Sequence, residues 1–166
     1  MKKIHMPKHR GSTLIITLVL MLILTILAVR ETSFNSMLTR VATNAGDALV
    51  SFETTEAALY QGVNQVISGK YNLNDFLANS RGFYTLKPND APLWTTINWA
   101  SNAAIQAYQS SASVKAAYII EQLPSVTPPG QAMSKPSFVY RVTARGVGVS
   151  GGAAILLQST LVVPNN

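Results

Sequence analysis

The segment Gly146-Val147-Gly148-Val149-Ser150-Gly151 has the spacing G-x-G-x-x-G, with which a glycine-rich turn brings backbone amides against the phosphates of a dinucleotide. That chemistry needs a helix after the turn and an acidic residue about 20 positions further on. The residues that follow, 153–163, are β-rich instead, and no acid occurs after Glu121. The segment is therefore expected to be a hairpin loop. Glu53 and Glu56 are the nearest pair of carboxylates in sequence, but they share one predicted helix, whereas paired-carboxylate catalysis needs the two groups across a cleft. Cysteine is absent, which removes disulfides, thiol nucleophiles and thiolate ligands together. The two histidines, His5 and His9, both precede the first apolar run. No catalytic residue, metal site or cofactor is expected, and the chain does not read as an enzyme.

The element that organises the chain is that apolar run. Residues 12–29 contain no charge, proline or glycine. As a helix rising ~1.5 Å per residue they span roughly 27 Å, about the thickness of a bilayer hydrocarbon core. Lys2, Lys3, Lys8 and Arg10 precede the run and only Arg30 follows closely. The positive-inside rule then keeps the N-terminus in the cytoplasm and sends residues 31–166 across the inner membrane in a single pass, into the periplasm. A secretory signal would have a shorter apolar core followed by an A-x-A-type cleavage site, and Ala28-Val29-Arg30-Glu31 offers none.

The sequence Lys8-His9-Arg10-Gly11, followed at once by Ser12-Thr13-Leu14-Ile15-Ile16, resembles a class III signal of the prepilin type. The resemblance implies a leader over residues 1–11, cut by a prepilin peptidase between Gly11 and Ser12, with Ser12 as the N-methylated mature N-terminus and residues 12–30 as the membrane part of a long helix. Two positions depart from the major pilins, whose first mature residue is usually large and apolar and whose fifth is glutamate; here they are Ser12 and Ile16. A carboxylate in lipid is costly unless paired. Its absence at Ile16 suggests a subunit without a neighbouring amine to neutralise, near a filament tip.

The formal charge is +6, from 13 basic and seven acidic residues. Without the four cations of the leader, nine basic residues remain against seven acidic, a net charge of +2. That is too little to argue for nucleic-acid binding.

Beyond the membrane run the chain keeps a helical period to about residue 69. Phe34, Leu38, Val41, Ala45, Ala48, Leu49, Phe52, Leu59, Val63 and Val66 recur at three- and four-residue steps, and no proline occurs between Pro7 and Pro88. Gly46 and Gly62 weaken this helix by ~1 kcal/mol each relative to alanine unless they permit bending or close packing. Phe52-Glu53-Thr54-Thr55-Glu56-Ala57-Ala58-Leu59 resembles the F-x-A-A-E-A-A-L signature of the PilX family of minor pilins. Glu56, four residues after Phe52, is expected within the apolar arc, satisfied by a domain arginine or backbone amide, or else in contact with another pilin. Glu53 is expected to be solvated.

Residues 70–113 form a variable middle with turn chemistry around Asn72 and Pro88, a short helix allowed over 97–108, and Trp94 and Trp99 as core anchors. Strands are expected over 114–123, 137–147 and 153–163, with a surface loop over 124–136. These strands resemble the PilX family again. Tyr118-Ile119-Ile120-Glu121 matches its Y-x-I-E strand, Tyr140-Arg141 its tyrosine-arginine strand, and Leu157-Gln158-Ser159-Thr160 its last strand.

The fold expected is α+β and pilin-like: a long N-terminal helix, half in the membrane and half amphipathic, packed on a small antiparallel β-sheet in the periplasmic part, residues 31–166. The resemblance implies a minor pilin of a type IV pilus that helps prime assembly, sits at or near the tip, and serves twitching motility and surface attachment. Its implied partners are other minor pilins, the major pilin, the prepilin peptidase, the inner-membrane assembly platform and a PilY-type tip adhesin. A tip pseudopilin of a type II secretion system and an uncleaved membrane-anchored binding module are the alternatives.

Overall fold

The protein is described by a computed structural model over residues 10–71, 73–108, 115–127, 129, 136–151 and 154–164. The basic stretch 1–9 and most of the predicted loop before Pro136 lie outside them. The chain divides into two compact units, Met1–Thr43 and Asn44–Asn166.

In the first unit every described residue from Gly11 to Thr43 is helical and exposed, within helix α1 (Arg10–Ile67). Gly11 begins the one helix in the described residues that is long and apolar enough to cross a membrane. The polar residues inside the run do not spoil it. Thr17 and Thr25 donate their hydroxyl protons to the carbonyls of Leu14 and Leu22, and just beyond the run Thr32 and Ser33 donate theirs to those of Ala28 and Val29. Each hydroxyl is satisfied inside its own helix, as hydrocarbon surroundings require.

The second unit begins with the last turns of α1. The helix stops at Ile67, two residues short of the expectation, in a Schellman cap: Gly69 takes φ 63°, its amide donates to Val66 O at 3.2 Å, and the Lys70 amide donates to Gln65 O at 3.2 Å. A short helix α2 (Leu73–Ala78) follows, then β1 (Phe83–Thr85), a 3-10 turn at Leu93–Thr95, β2 (Gln106–Tyr108), β3 (Lys115–Val126), β4 (Ser137–Val147) and β5 (Ala154–Val163). The sheet order is β1-β3-β4-β5, with β2 also pairing with β3.

The architecture is α+β as expected, but the sheet is mixed, because β1 lies parallel to β3 while all other pairings are antiparallel. The helix allowed over 97–108 is absent. Asn98 Oδ1 instead accepts the Ala100 amide, a local side-chain turn that competes with helix, and the segment ends as β2. The strand expected to stop before Pro124 runs on to Val126. Proline is tolerated there because only β4 pairs with this stretch, and the register slips between Leu123 and Val126.

Both faces of the sheet are covered at β3. On one, Ala58 and Val66 of α1 and Phe76 of α2 join Tyr118, Ile120, Tyr140, Val142 and Ala144 in a core. On the other, Tyr84, Trp94, Ile97 and Trp99 pack on Ile105, Ala117 and Ile119, so both tryptophans act as partly buried anchors. This is why β3 is buried continuously from Ala116 to Glu121 instead of alternating.

The contact between helix and sheet uses small residues. Ser51, Thr55, Ala58 and Gly62 recur at four, three and four positions and are all buried. A Cβ added at Gly62 would lie 2.6 Å from Val142 Cγ1 and 2.9 Å from Tyr118 Cδ2, and one at Gly146 would strike Thr55 Oγ1. Thr55 donates its hydroxyl proton to Ser51 O at 2.6 Å, so the helix meets the strand without stranding that polar group.

Candidate functional site

The residues singled out at the N-terminal end of the chain, Gly11, Ser12 and Ile16, lie in the first turns of α1 and are exposed. No side chain would meet a Cβ placed on Gly11.

Phe52 and Glu56 share one side of α1, a turn apart, but that side is not the one the sheet covers. Phe52 is 42% exposed and Leu49 is 59% exposed, and Glu56 is exposed with them. The expectation that Glu56 turns into the packed arc, held by an arginine or a backbone amide, is therefore corrected. The cause is the choice of face: the sheet grips the strip of Ser51, Thr55, Ala58 and Gly62, so Leu49 and Phe52 stay outside while Leu59, Val63 and Val66, further along α1, meet the core. Glu53 is exposed, as expected.

The carboxylate held as Glu56 was expected to be is Glu121. It is fully buried on β3; Oε2 accepts Arg141 Nε at 2.8 Å and Oε1 accepts the Leu93 amide at 2.7 Å. Glu121 and Arg141 are register partners in β3 and β4, which brings together one residue from each of two separately noted strand motifs. The pair ties the 3-10 turn to the sheet. It leaves Arg141 Nη2 buried without a hydrogen-bond partner among the described residues.

In the segment Gly146–Gly151, Gly146 and Val147 end β4 and residues 148–151 enter the β4–β5 turn. Gly151 takes φ 73° and its amide donates to Gly148 O at 2.9 Å, and strand β5 follows where a dinucleotide site would need a helix. The turn is held by Asp47 of α1, whose carboxylate accepts the Val149 amide at 2.6 Å. The Ser150 side-chain bond, opposed by desolvation and helped by the backbone amides of Val149 and Ser150, holds the Asp47 carboxyl below the usual aspartate range.

A cleft of about 780 Å³ opens between the end of α1 and β1, lined by Gln65, Lys70, Tyr71, Asp75, Arg81 and Gln106, among others. Its amides are already engaged. Gln65 Oε1 accepts the Tyr118 hydroxyl at 2.8 Å, and Gln106 Nε2 donates to Arg81 O at 2.5 Å. Burial raises the Tyr118 hydroxyl above its ordinary pKa, and burial together with the Tyr71 hydroxyl does the same to Tyr140, so neither supplies a base. Among the described residues no group of three or more His, Cys, Asp or Glu could hold a metal ion.

To other molecules the second unit presents an exposed apolar side of α1 around Leu49 and Phe52, and the sheet edge formed by β5. The small-residue strip that decides which side of the helix is free escapes a search for large apolar side chains. Its signal was present as the spacing of Ser51, Thr55, Ala58 and Gly62.

A family model described as type IV pilus assembly protein PilX, C-terminal, matches residues 41–163. No curated protein and no solved structure gives a match.

Proposed function

Because the chain belongs to the PilX family of type IV pilus assembly proteins, we propose that it is a minor pilin, a structural subunit and not an enzyme, that helps prime the filament and sits at or near its tip. The observation that carries the reading is the family match over residues 41–163, preceded in the same chain by an apolar helix long enough to cross a membrane.

In this reading residues 1–11 are a leader removed between Gly11 and Ser12 by a prepilin peptidase, and Ser12 becomes the methylated N-terminus. Residues 12–30 hold the subunit in the inner membrane, N-terminus in the cytoplasm, with the rest in the periplasm until the assembly platform moves it into a pilus. Extraction exchanges lipid for the helices of other minor pilins and the major pilin. Lipid is itself apolar, so the gain per unit area is small and close packing must supply the specificity. The exposed Leu49 and Phe52 supply such a surface outside the membrane, with Glu56 beside them. Twitching, surface attachment and display of a PilY-type adhesin follow from a place at the tip.

The test is the intact mass of the membrane-extracted chain with and without an active prepilin peptidase, together with its presence in sheared pili. A species beginning at Ser12, seen only with the peptidase and recovered in pili, is expected. A species that keeps residues 1–11 in both backgrounds sinks the reading and leaves a membrane-anchored domain.

A further inference from the structure

The two edges of the sheet are treated differently. On the β3 side, β2 covers Ala116 to Tyr118 and β1 covers Ile120 to Gln122, and Pro124 and a register slip follow. On the other side β5 runs for ten residues, Ala154–Val163, with no strand paired to its outer side among the described residues. In an antiparallel pair about half of an edge strand's N–H and C=O groups point away from the neighbour. Soluble sheets blunt such an edge with charge, proline or a bulge. The sequence AILLQSTLVV has none of these, and its pairing with β4 is unbroken from Val147 to Phe138. Leu156 and Val162, on the solvent face, are 40% and 56% exposed.

Two acidic groups of this part of the fold are already engaged: Asp47 holds the hairpin tip and Glu121 holds Arg141. After Glu121 the chain has no acidic residue, and β4 carries Arg141 and Arg145. Arg141 is committed to Glu121. Arg145, half-buried and paired in register with Leu156, has no ion-pair partner among the described residues. A strand added to β5 would place its backbone about 10 Å from β4, a span that an arginine and a facing carboxylate close between them.

A second copy of this chain does not fit. Two β5 edges related by a two-fold axis pair antiparallel. Within the second unit the helix contacts run from Asp47 at residue 149, through Thr55 at Gly146, to Gly62 at Val142. Residues 44–67 therefore run against β4 and along β5, and a β5–β5 pair would set these helical segments in opposite directions. Subunits drawn from one membrane by the same kind of anchor present them in the same direction, a step that rests on the pilin reading. The like charge of two Arg145 side chains opposes the pair as well.

We propose that β5 is a docking edge for an extended segment of a different polypeptide, apolar at alternate positions and carrying an acidic side chain toward Arg145. The backbone bonds of the added strand supply affinity, and the alternate side chains and the carboxylate set its register.

The test uses the full chain in its own membrane and in sheared pili, with the photo-crosslinking residue p-benzoylphenylalanine placed in turn at positions 156, 158, 160 and 162. Adducts are digested and sequenced by mass spectrometry. The expected result is one extended segment of one other polypeptide, with the attachment point moving by two residues for each move of the probe. Arg145→Glu should lower the adduct yield about tenfold or more, and Arg145→Lys should keep most of it. Leu156→Lys, which loads the edge without touching the core, should lower the yield with circular dichroism unchanged. Adducts scattered over unrelated sites, confined to a second copy of this chain or to lipid, or not formed at all overturn the proposal. A chain that is cut at Gly11 and recovered in pili but gives one of those results loses only its docking edge. A chain that keeps its leader and still gives the two-residue progression loses only the pilin reading.

Discussion

Asp47 and Ser150 are hydrogen bonded although 103 positions separate them. The carboxylate of one helical residue accepts the Ser150 hydroxyl, the Ser150 amide at 3.3 Å and the Val149 amide at 2.6 Å. It caps the tip of the hairpin as an N-cap residue caps a helix. Gly148 completes the arrangement, since a Cβ at that position would overlap the Asp47 carboxylate.

This contact makes the hairpin tip sensitive to acid. The Ser150 bond and the two amides lower the Asp47 pKa in the folded chain. Their stabilisation is present above the unfolded value of about pH 4 and is lost as pH falls through the lower folded value. Hydrogen exchange at the Val149 and Ser150 amides should therefore accelerate below about pH 4, beyond the intrinsic pH trend. Asp47→Asn should abolish the extra step, and an unchanged profile in that variant would refute the assignment.

Two glycines of α1 should respond to alanine with opposite signs. A methyl added at Gly46 would meet nothing within 4 Å, so Gly46→Ala should stabilise by up to about 1 kcal/mol through helix propensity. Gly62→Ala gains the same propensity, but its methyl would lie 2.6 Å from Val142 Cγ1, and overpacking of this kind costs about 1–3 kcal/mol. Denaturant unfolding of the detergent-solubilised chain compares the two directly.

Glu121→Ala should be among the most damaging single changes in the second unit. It leaves the Arg141 guanidinium and the Leu93 amide without their acceptor, a loss of about 3–5 kcal/mol for a broken buried pair. The double variant Glu121→Leu with Arg141→Leu should cost less than the two single changes added together. Additive losses in a double-mutant cycle would show that the pair is not coupled.

Phe52→Ser and Glu56→Gln should separate folding from assembly. Both residues are exposed on the side of α1 that the sheet leaves free. Stability should stay within about 0.5 kcal/mol of the parent, while surface piliation falls. A matching fall in the melting temperature would instead assign Phe52 to the core.

At the leader, Gly11→Ile should leave precursor in the membrane, because a branched side chain blocks the close backbone approach that glycine allows. A mature-length species in that variant, seen by intact mass, would remove Gly11 from the cleavage site.

The long helix and the last two strands were legible because their signals are local: an apolar run without breakers, a sustained helical period, and β-rich runs on either side of a glycine turn. Glu56 was misplaced because a periodic arc of large apolar residues marks a face that will be buried by something, without saying by what. The sheet took the neighbouring strip of small residues, a preference decided by how closely Gly62 and Gly146 let two backbones approach. The pairing of Glu121 with Arg141 was written in two motifs but depends on strand register, which sequence periodicity does not fix. The parallel placement of β1 escaped for a similar reason, since three residues carry too short a pattern to announce a direction.

The strip of small residues also bears on timing. The sheet's hold on α1 uses none of the side chains around Leu49 and Phe52, so nothing folded has to let go before a neighbouring subunit arrives. On the proposed pilin reading, a subunit waiting in the membrane need not repack over residues 44–67, and its entry into a filament is a docking event without an unfolding barrier. On the same reading, assembly speed is set by delivery and by the force that pulls the apolar helix out of lipid, not by rearrangement of the domain.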